Sequence, residues 1–225
     1  TLWPADQGRF AVLLYRNDGL QPQSVLYVRD GMKGEGRVLI DPNLWAKDGA
    51  TALAEWQPSE NGKYLLYSVQ DGGTDWRIVR VKDVATGQDL SDEVRWVKFS
   101  ALDWAKDGSG FYYSRFPEPE AGEAFQSLNE NHSVYFHKLG TPQSADVLIH
   151  ATPVKPKLNN SAVVSDDGKY LLVFGSEGTD ARLGVTLYPI AANGVGKPVT
   201  LINDFENNWE YVTNQGPLFT FITNK

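Results

Sequence analysis

Asp167-Gly168-Lys169-Tyr170-Leu171-Leu172-Val173-Phe174 is a polar turn closed by glycine and followed by an unbroken apolar run. Asp-Gly places glycine where a Cβ would clash, in the left-handed region, and so reverses the chain between two strands. A run that is apolar at nearly every position reads as a strand buried on both faces. The same phrase recurs at Gln7-Gly8 before Phe10 to Tyr15, and at Asn61-Gly62 before Tyr64-Leu65-Leu66-Tyr67. It returns at Asp107-Gly108 before Phe111-Tyr112-Tyr113, and at Gln215-Gly216 before Leu218-Phe219-Thr220-Phe221. Successive glycines lie 54, 46, 60 and 48 residues apart, a period of about fifty.

Working outward from each turn, a second strand follows at Val25-Leu26-Tyr27-Val28, Ile78-Val79-Arg80-Val81, Val134-Tyr135-Phe136 and Val185-Thr186-Leu187-Tyr188. A third, shorter and more polar, stands at Arg37 to Ile40, Val147-Leu148-Ile149 and Val199 to Ile202. With the segment that leads into each turn, every period holds four strands. Four-stranded units at this spacing are the signature of β-propeller blades, each needing neighbours to cover both faces. An ordinary β-sandwich would need hairpins but no fifty-residue period. The expected fold is therefore all-β, a propeller of four-stranded antiparallel blades, about four of them and part of a fifth. The divisions fall near residues 1–48, 49–92, 93–150, 151–204 and an incomplete 205–225. Such an array suggests a chain cut from something longer, with an apolar blade face left uncovered. Glu118 to Asn131, with Ala121, Ala124, Phe125 and Leu128, is the best helix candidate and reads instead as an inserted loop. Asp71-Gly72-Gly73-Thr74-Asp75 reads as another long turn.

Composition agrees. Of 225 residues, 41 % are hydrophobic, 22 % charged and 12 % aromatic, with 21 Gly and 12 Pro; this favours short strands and tight turns over helices. A net charge of −7 disfavours nucleic acid and anionic membrane as partners. The absence of Cys excludes disulfides, thiolate metal ligands and a thiol nucleophile, and leaves the compartment open. No apolar stretch reaches the roughly 18 residues of a spanning helix, so the chain reads as soluble.

Several segments, none specific alone, together resemble the prolyl oligopeptidase family of serine peptidases. They are Gly19 to Val28, Asp41-Pro42-Asn43, Lys47 to Leu53, Thr74-Asp75-Trp76, Val97-Lys98-Phe99-Ser100 before Trp104, and Tyr135 to Thr141 followed by Gln143 to Asp146. Pro22 stands where the family usually has Asn. The resemblance implies a cytosolic or periplasmic enzyme that cuts short peptides after proline. Its seven-bladed propeller would cap an α/β-hydrolase domain and admit only small peptides. That hydrolase domain, the partner of this segment, would carry the triad, the oxyanion hole and the proline pocket. No G-x-S-x-G elbow occurs in this chain, and Gly175-Ser176-Glu177-Gly178 is not one. The segment itself is expected to hold no catalytic residue. Family propellers lend a few side chains to the pocket for the residue two before the scissile proline. Ala101 stands where mammalian members carry Cys, and Lys82 near a Met.

Other candidate chemistry is weaker. His132, His137 and His150 show no metal-ligand spacing, and five residues along a strand place the first two on opposite faces. They are expected at strand surfaces or in loops, with no metal and no cofactor. Asp166-Asp167 belongs to the repeated turn, and Asp92-Glu93 is the other acidic pair. Asp71 to Asp75 lacks the alternating carboxylates of a calcium loop, and Gly34-Glu35-Gly36 lacks the context of a phosphate loop. Trp56 and Trp104 each precede a repeated turn, which assigns them to packing rather than to a glycan platform. The leading expectation is a substrate-gating propeller; the alternative is a stand-alone peptide- or protein-binding scaffold.

Overall fold

The structure is a computed structural model that describes residues 2–4, 10–46, 49–124 and 128–225. The turn at Gln7-Gly8, Lys47-Asp48, and Phe125 lie outside the described residues. The chain divides into two compact units, Thr1–Arg95 with Gly140–Gln143, and Trp96–Leu139 with Ser144–Lys225.

In the first unit, β1 (Leu2–Pro4), β2 (Phe10–Arg16), β3 (Val25–Asp30) and β4 (Arg37–Ile40) form an antiparallel meander in chain order. A second meander follows with β5 (Ala52–Pro58), β6 (Tyr64–Gln70), β7 (Arg77–Asp83) and β8 (Asp89–Val97). Alternation along β6 sends Leu65 and Tyr67 to one face, where they join Leu13, Leu26, Val28 and Leu53 in a buried cluster. Burying each such leucine stabilises the fold by about 2 kcal/mol. Leu66 and Ser68, on the opposite face of β6, are just as buried, so the strand is covered on both sides, as its unbroken apolar run requires. The Asp41-Pro42-Asn43 stretch is a clamp within this unit. Asp41 accepts from the Asn43 backbone N–H at 3.0 Å, and Asn43 exchanges two hydrogen bonds with the Gln23 backbone, at 2.9 and 3.0 Å.

In the second unit, β9 (Asp103–Trp104), β10 (Gly110–Arg115), β11 (Ser133–Lys138) and β12 (Val147–His150) form the third set, with Arg115 of β10 paired to Val97. A separate sheet holds β13 (Leu158–Val164), β14 (Tyr170–Glu177), β15 (Leu183–Ala191), β16 (Gly194–Val195) and β17 (Val199–Ile202). The hairpin of β18 (Trp209–Gln215) and β19 (Leu218–Thr223) comes last. Tyr112 and Val134 pack against Ala162, Val164, Leu171 and Val173. Tyr170, on the reverse face of β14, meets Phe219 edge-on at 5.1 Å.

β13 is an edge strand, and exposed edge groups invite unwanted pairing. Its edge is capped by side chains. The Asn160 N–H donates to His132 Nδ1 at 3.0 Å, and the Val164 N–H donates to Asp103 Oδ2 at 2.8 Å.

The expected turns are built to one plan. Gly62, Gly108 and Gly168 have φ of 68°, 70° and 70°. Each N–H donates to the carbonyl three residues earlier, of Ser59, Ala105 and Ser165. Ser59 Oγ and Ser165 Oγ each accept from the N–H five residues on, both at 3.0 Å. The copy at Gln215-Gly216 differs, because Gln215 pairs directly with Leu218 across a two-residue turn. The third strands are only partly covered: Val38, Val147, Leu148 and Val199 are more than half exposed, while Leu39 and Ile40 of β4 are buried. Glu118–Ala124 and Leu128–Asn131 contain neither helix nor strand, and Asp71 to Asp75 joins β6 to β7 as a turn. Among the described residues the only helical turns are two of three residues, Pro42–Leu44 and Gln143–Ala145.

Candidate functional site

Lys82 and Ala101 fall in different units. Lys82, on β7, is buried; its ammonium pairs with Asp89 at 2.7 Å and donates to the Gly87 carbonyl at 3.1 Å. The Tyr67 hydroxyl donates to the same carboxylate at 3.0 Å. Burial, and then the Asp89 charge, push the Tyr67 phenol well above its ordinary value.

Ala101 follows β8 and is half-buried. Its carbonyl accepts from Ser100 Oγ at 2.6 Å, while Ser100 Oγ accepts from the Ser114 N–H at 2.7 Å. Two residues earlier, Phe99 has φ of 54°, and Trp96 has φ of 63°. A left-handed aromatic residue is strained, and such strain gathers where a side chain must be aimed. Phe99 is 47 % exposed although its ring meets the buried Phe116 edge-on at 6.4 Å. It forms one wall of a groove of about 580 Å³. Leu128 also lines the groove at 76 % exposure, with Asn159 and Ser161 of β13 and Ser176 of β14. Lys98 reaches from beside Phe99 to Asn129 Oδ1 at 3.1 Å. The groove combines an exposed apolar contact surface with neutral hydrogen-bonding groups and the charged residues Glu130, Lys157 and Glu177.

His132 lies in the loop before β11, an expected kind of position, but it and His137 on β11 are both 0 % exposed. The expected strand-surface position is corrected for His137, while His150 at the end of β12 is partly exposed. These strands are covered on both sides, so opposite faces both lead into core. His132 stacks on Phe116 at 4.4 Å, and burial pushes its imidazole down to about 4 against the opposing pull of the Lys98 backbone. His137 Nδ1 meets Asp146 Oδ1 at 2.7 Å, and the Tyr113 hydroxyl donates to Asp146 Oδ2 at 2.6 Å. This His–Asp pair has the contacts of a catalytic dyad, but its side chains are 0 % and 1 % exposed. No substrate reaches it. His150 shares a hydrogen bond of 2.7 Å with the Tyr188 hydroxyl, and burial lowers its pKa.

The acidic pairs are equally structural. Asp92 accepts from the Gly140 N–H at 2.6 Å, and Glu93 bridges Arg80 and Arg95 at 2.8 and 2.7 Å. Asp166 accepts from Thr213 Oγ1 at 2.7 Å, and Asp167 accepts from Ser165 Oγ inside the turn. Trp104 is buried and Trp56 packs on the first-unit cluster. Among the described residues no group of three His, Asp or Glu is placed to hold a metal, and no helix is long and apolar enough to cross a membrane.

A family profile described as the prolyl oligopeptidase N-terminal β-propeller domain matches residues 3–225. The prolyl endopeptidase of Elizabethkingia miricola is 35 % identical over 222 residues, covering 99 % of this chain and 31 % of the relative. The dual function macrocyclase-peptidase POPB of Galerina marginata is 33 % identical, covering 93 % of this chain and 32 % of the relative. A solved prolyl endopeptidase, from a study of inter-domain dynamics in two such enzymes, is 42 % identical with a TM-score of 0.85. That match covers 95 % of this chain and 30 % of the solved one. Prolyl oligopeptidase B from Galerina marginata bound to a 25mer macrocyclization substrate is 28 % identical with a TM-score of 0.88. It covers all of this chain and 34 % of the other. The chain thus spans about a third of the length of the curated relatives it matches. Its antiparallel sheets, its repeated turns and its match from residue 3 to 225 agree, and the chain belongs to the prolyl oligopeptidase family as an N-terminal β-propeller domain.

Proposed function

We propose that this chain is the substrate-gating, non-catalytic propeller segment of a soluble serine peptidase, cytoplasmic or periplasmic, that cuts short peptides after proline. The observation that carries the reading is a family match across residues 3–225 by a chain about a third as long as relatives named prolyl endopeptidases. A sequence without a nucleophile elbow supports placing the chemistry in an α/β-hydrolase domain of the same polypeptide. The sheets are read as successive blades, about four and part of a fifth out of seven. β8 runs to Val97, which favours the second division after that residue over one at 92. Ala101 and Lys82 are assigned to the pocket for the residue two before the scissile proline. Ala101 has the stronger case, because Asp89 and Gly87 already hold the Lys82 ammonium; Lys82 would contribute its alkyl stem.

The whole enzyme and this segment alone should be assayed with a blocked Gly-Pro chromogenic peptide, and with an unfolded protein containing prolines. The whole enzyme is expected to turn over the peptide and spare the protein, and the segment alone to be inert. Equal cleavage of peptide and protein would remove the gating role. Absence of any prolyl cleavage by the whole enzyme would favour the stand-alone scaffold.

A further inference from the structure

We propose that the cleft between β12 and the β15–β16 hairpin binds a small uncharged molecule with an apolar body and a carbonyl acceptor, held by the Tyr112 hydroxyl. The proposal stands apart from the peptidase reading, and all of its residues belong to the second unit. Among the described residues four tyrosines are buried, Tyr67, Tyr112, Tyr113 and Tyr188. A buried phenol ordinarily finds a hydrogen-bond partner. Tyr67 donates to Asp89, Tyr113 donates to Asp146, and Tyr188 bonds to His150. The Tyr112 hydroxyl has no such partner among the described residues, although Tyr112 is only 4 % exposed. It lines a cleft of about 880 Å³ instead. Burial, and then the Asp107 charge, push its phenol up to about 12. The hydroxyl therefore keeps its proton at neutral pH and is a donor.

The cleft has the size of a small-molecule pocket, about 300–1,000 Å³. Phe136 and Ile149 line it from one sheet, and Ile190 and Val195 from the next. All four pack around the cluster that contains Tyr112. The Phe136 ring lies 5.0 Å from the Tyr112 ring, so an apolar body seated on Phe136 brings its polar end within reach of the hydroxyl. Lys106 and Lys138 also line the cleft, against Asp107 and Asp167, so it offers no net charge. Asp107 is bound to the Ser109 N–H and hydroxyl, at 2.9 and 2.7 Å, and Asp167 to Ser165 Oγ and the Lys169 N–H, at 2.7 and 3.1 Å. A ligand carboxylate accepting from Tyr112 would meet the like charge of Asp107. An ammonium would leave the phenol proton unreceived and would face both lysines. A neutral carbonyl accepts that proton and brings no charge to be stripped of water.

The test titrates the full-length protein with 2-naphthaleneacetamide, 2-naphthaleneacetate and 2-naphthylethylamine, which share a ring system and differ in charge, and follows each by saturation-transfer NMR. The amide is expected to bind with a Kd of about 1 mM, and each charged probe about fivefold more weakly. Tyr112→Phe keeps the ring and removes only the donor. It should weaken the amide about fivefold and leave the urea midpoint nearly unchanged, because no partner within the protein is lost. Val195→Trp puts an indole into the cleft and should remove amide binding; Tyr112→Phe carries the test alone should that variant fail to fold. Absence of saturable amide binding up to about 10 mM overturns the site. Amide binding undiminished in Tyr112→Phe places the ligand elsewhere and overturns the assignment. A charged probe that binds more tightly than the amide, and that Tyr112→Phe weakens, overturns the uncharged class.

Discussion

Burial holds the His132 imidazole neutral, pushed down to about 4 from its ordinary 6.5, and lowers His150 in the same direction. Between those values the unfolded chain binds protons that the folded chain refuses, so stability is present above pH 6.5 and falls as pH drops toward 4. For His132 the loss is about 3 kcal/mol. Urea midpoints measured from about pH 7 to about 4.5 should fall, and His132→Asn should flatten the slope; an unchanged slope would sink the assignment. Asp83, Glu93, Asp107 and Asp167 are held below their ordinary values, and their loss begins only nearer those values, at lower pH. Asp146 is the more sensitive single position, because Asp146→Ala leaves His137 Nδ1 and the Tyr113 hydroxyl buried without that carboxylate. A loss of about 2–4 kcal/mol in denaturant unfolding is expected, against about 1 for Tyr113→Phe. None of this was legible in the sequence. Alternation assigns His132 and His137 to opposite faces correctly, but it does not say that both faces are sealed. Asp146 precedes an exposed strand and gives no sign of reaching inward.

At the scale of the element, the glycine-ended turn was legible and its chemistry only partly so. Asn-Gly and Asp-Gly announce the reversal, whereas the serine two residues before Asn61 and Asp167, which satisfies the first amide of the following strand, passes unnoticed without coordinates. The copy before β10 carries Ala105 at that place, and there Ser109 Oγ donates to Asp107 instead, at 2.7 Å. Ala105→Ser is expected to stabilise by about 0.5–1 kcal/mol, read as a higher urea midpoint at constant slope. Gly168→Ala should cost about 1–2 kcal/mol, since φ is 70° and the added Cβ would lie 2.7 Å from Lys106 Cγ and 3.0 Å from its Cβ. The turn before β19 resembles the others in letters alone. Its apolar run is also the exception in burial, because a strand is buried only if something covers it.

For the whole molecule, the fifty-residue period was enough to read the fold, since a repeat states at every copy what one element states weakly. The groove beside Phe99 was not readable, because Phe99, Leu128, Asn159 and Ser176 come from four separate segments with no shared motif. Val212, Leu218 and Ile222 of the last hairpin are 47, 68 and 61 % exposed. Surface of that kind drives association. The 225-residue polypeptide should therefore elute as concentration-dependent oligomers in size-exclusion chromatography, and Leu218→Lys with Ile222→Lys should return it toward monomer. Persistent oligomers in the double variant would move the contact elsewhere. The caps on β13 have a separate consequence. The Asn160 and Val164 N–H groups donate to the side chains of His132, just before β11, and Asp103 of β9, not to a neighbouring ladder. Deuterium uptake at these two amides therefore acts as a clock for parting of adjacent sheets: they should label ahead of the β13–β14 ladder amides whenever the sheets separate without unravelling.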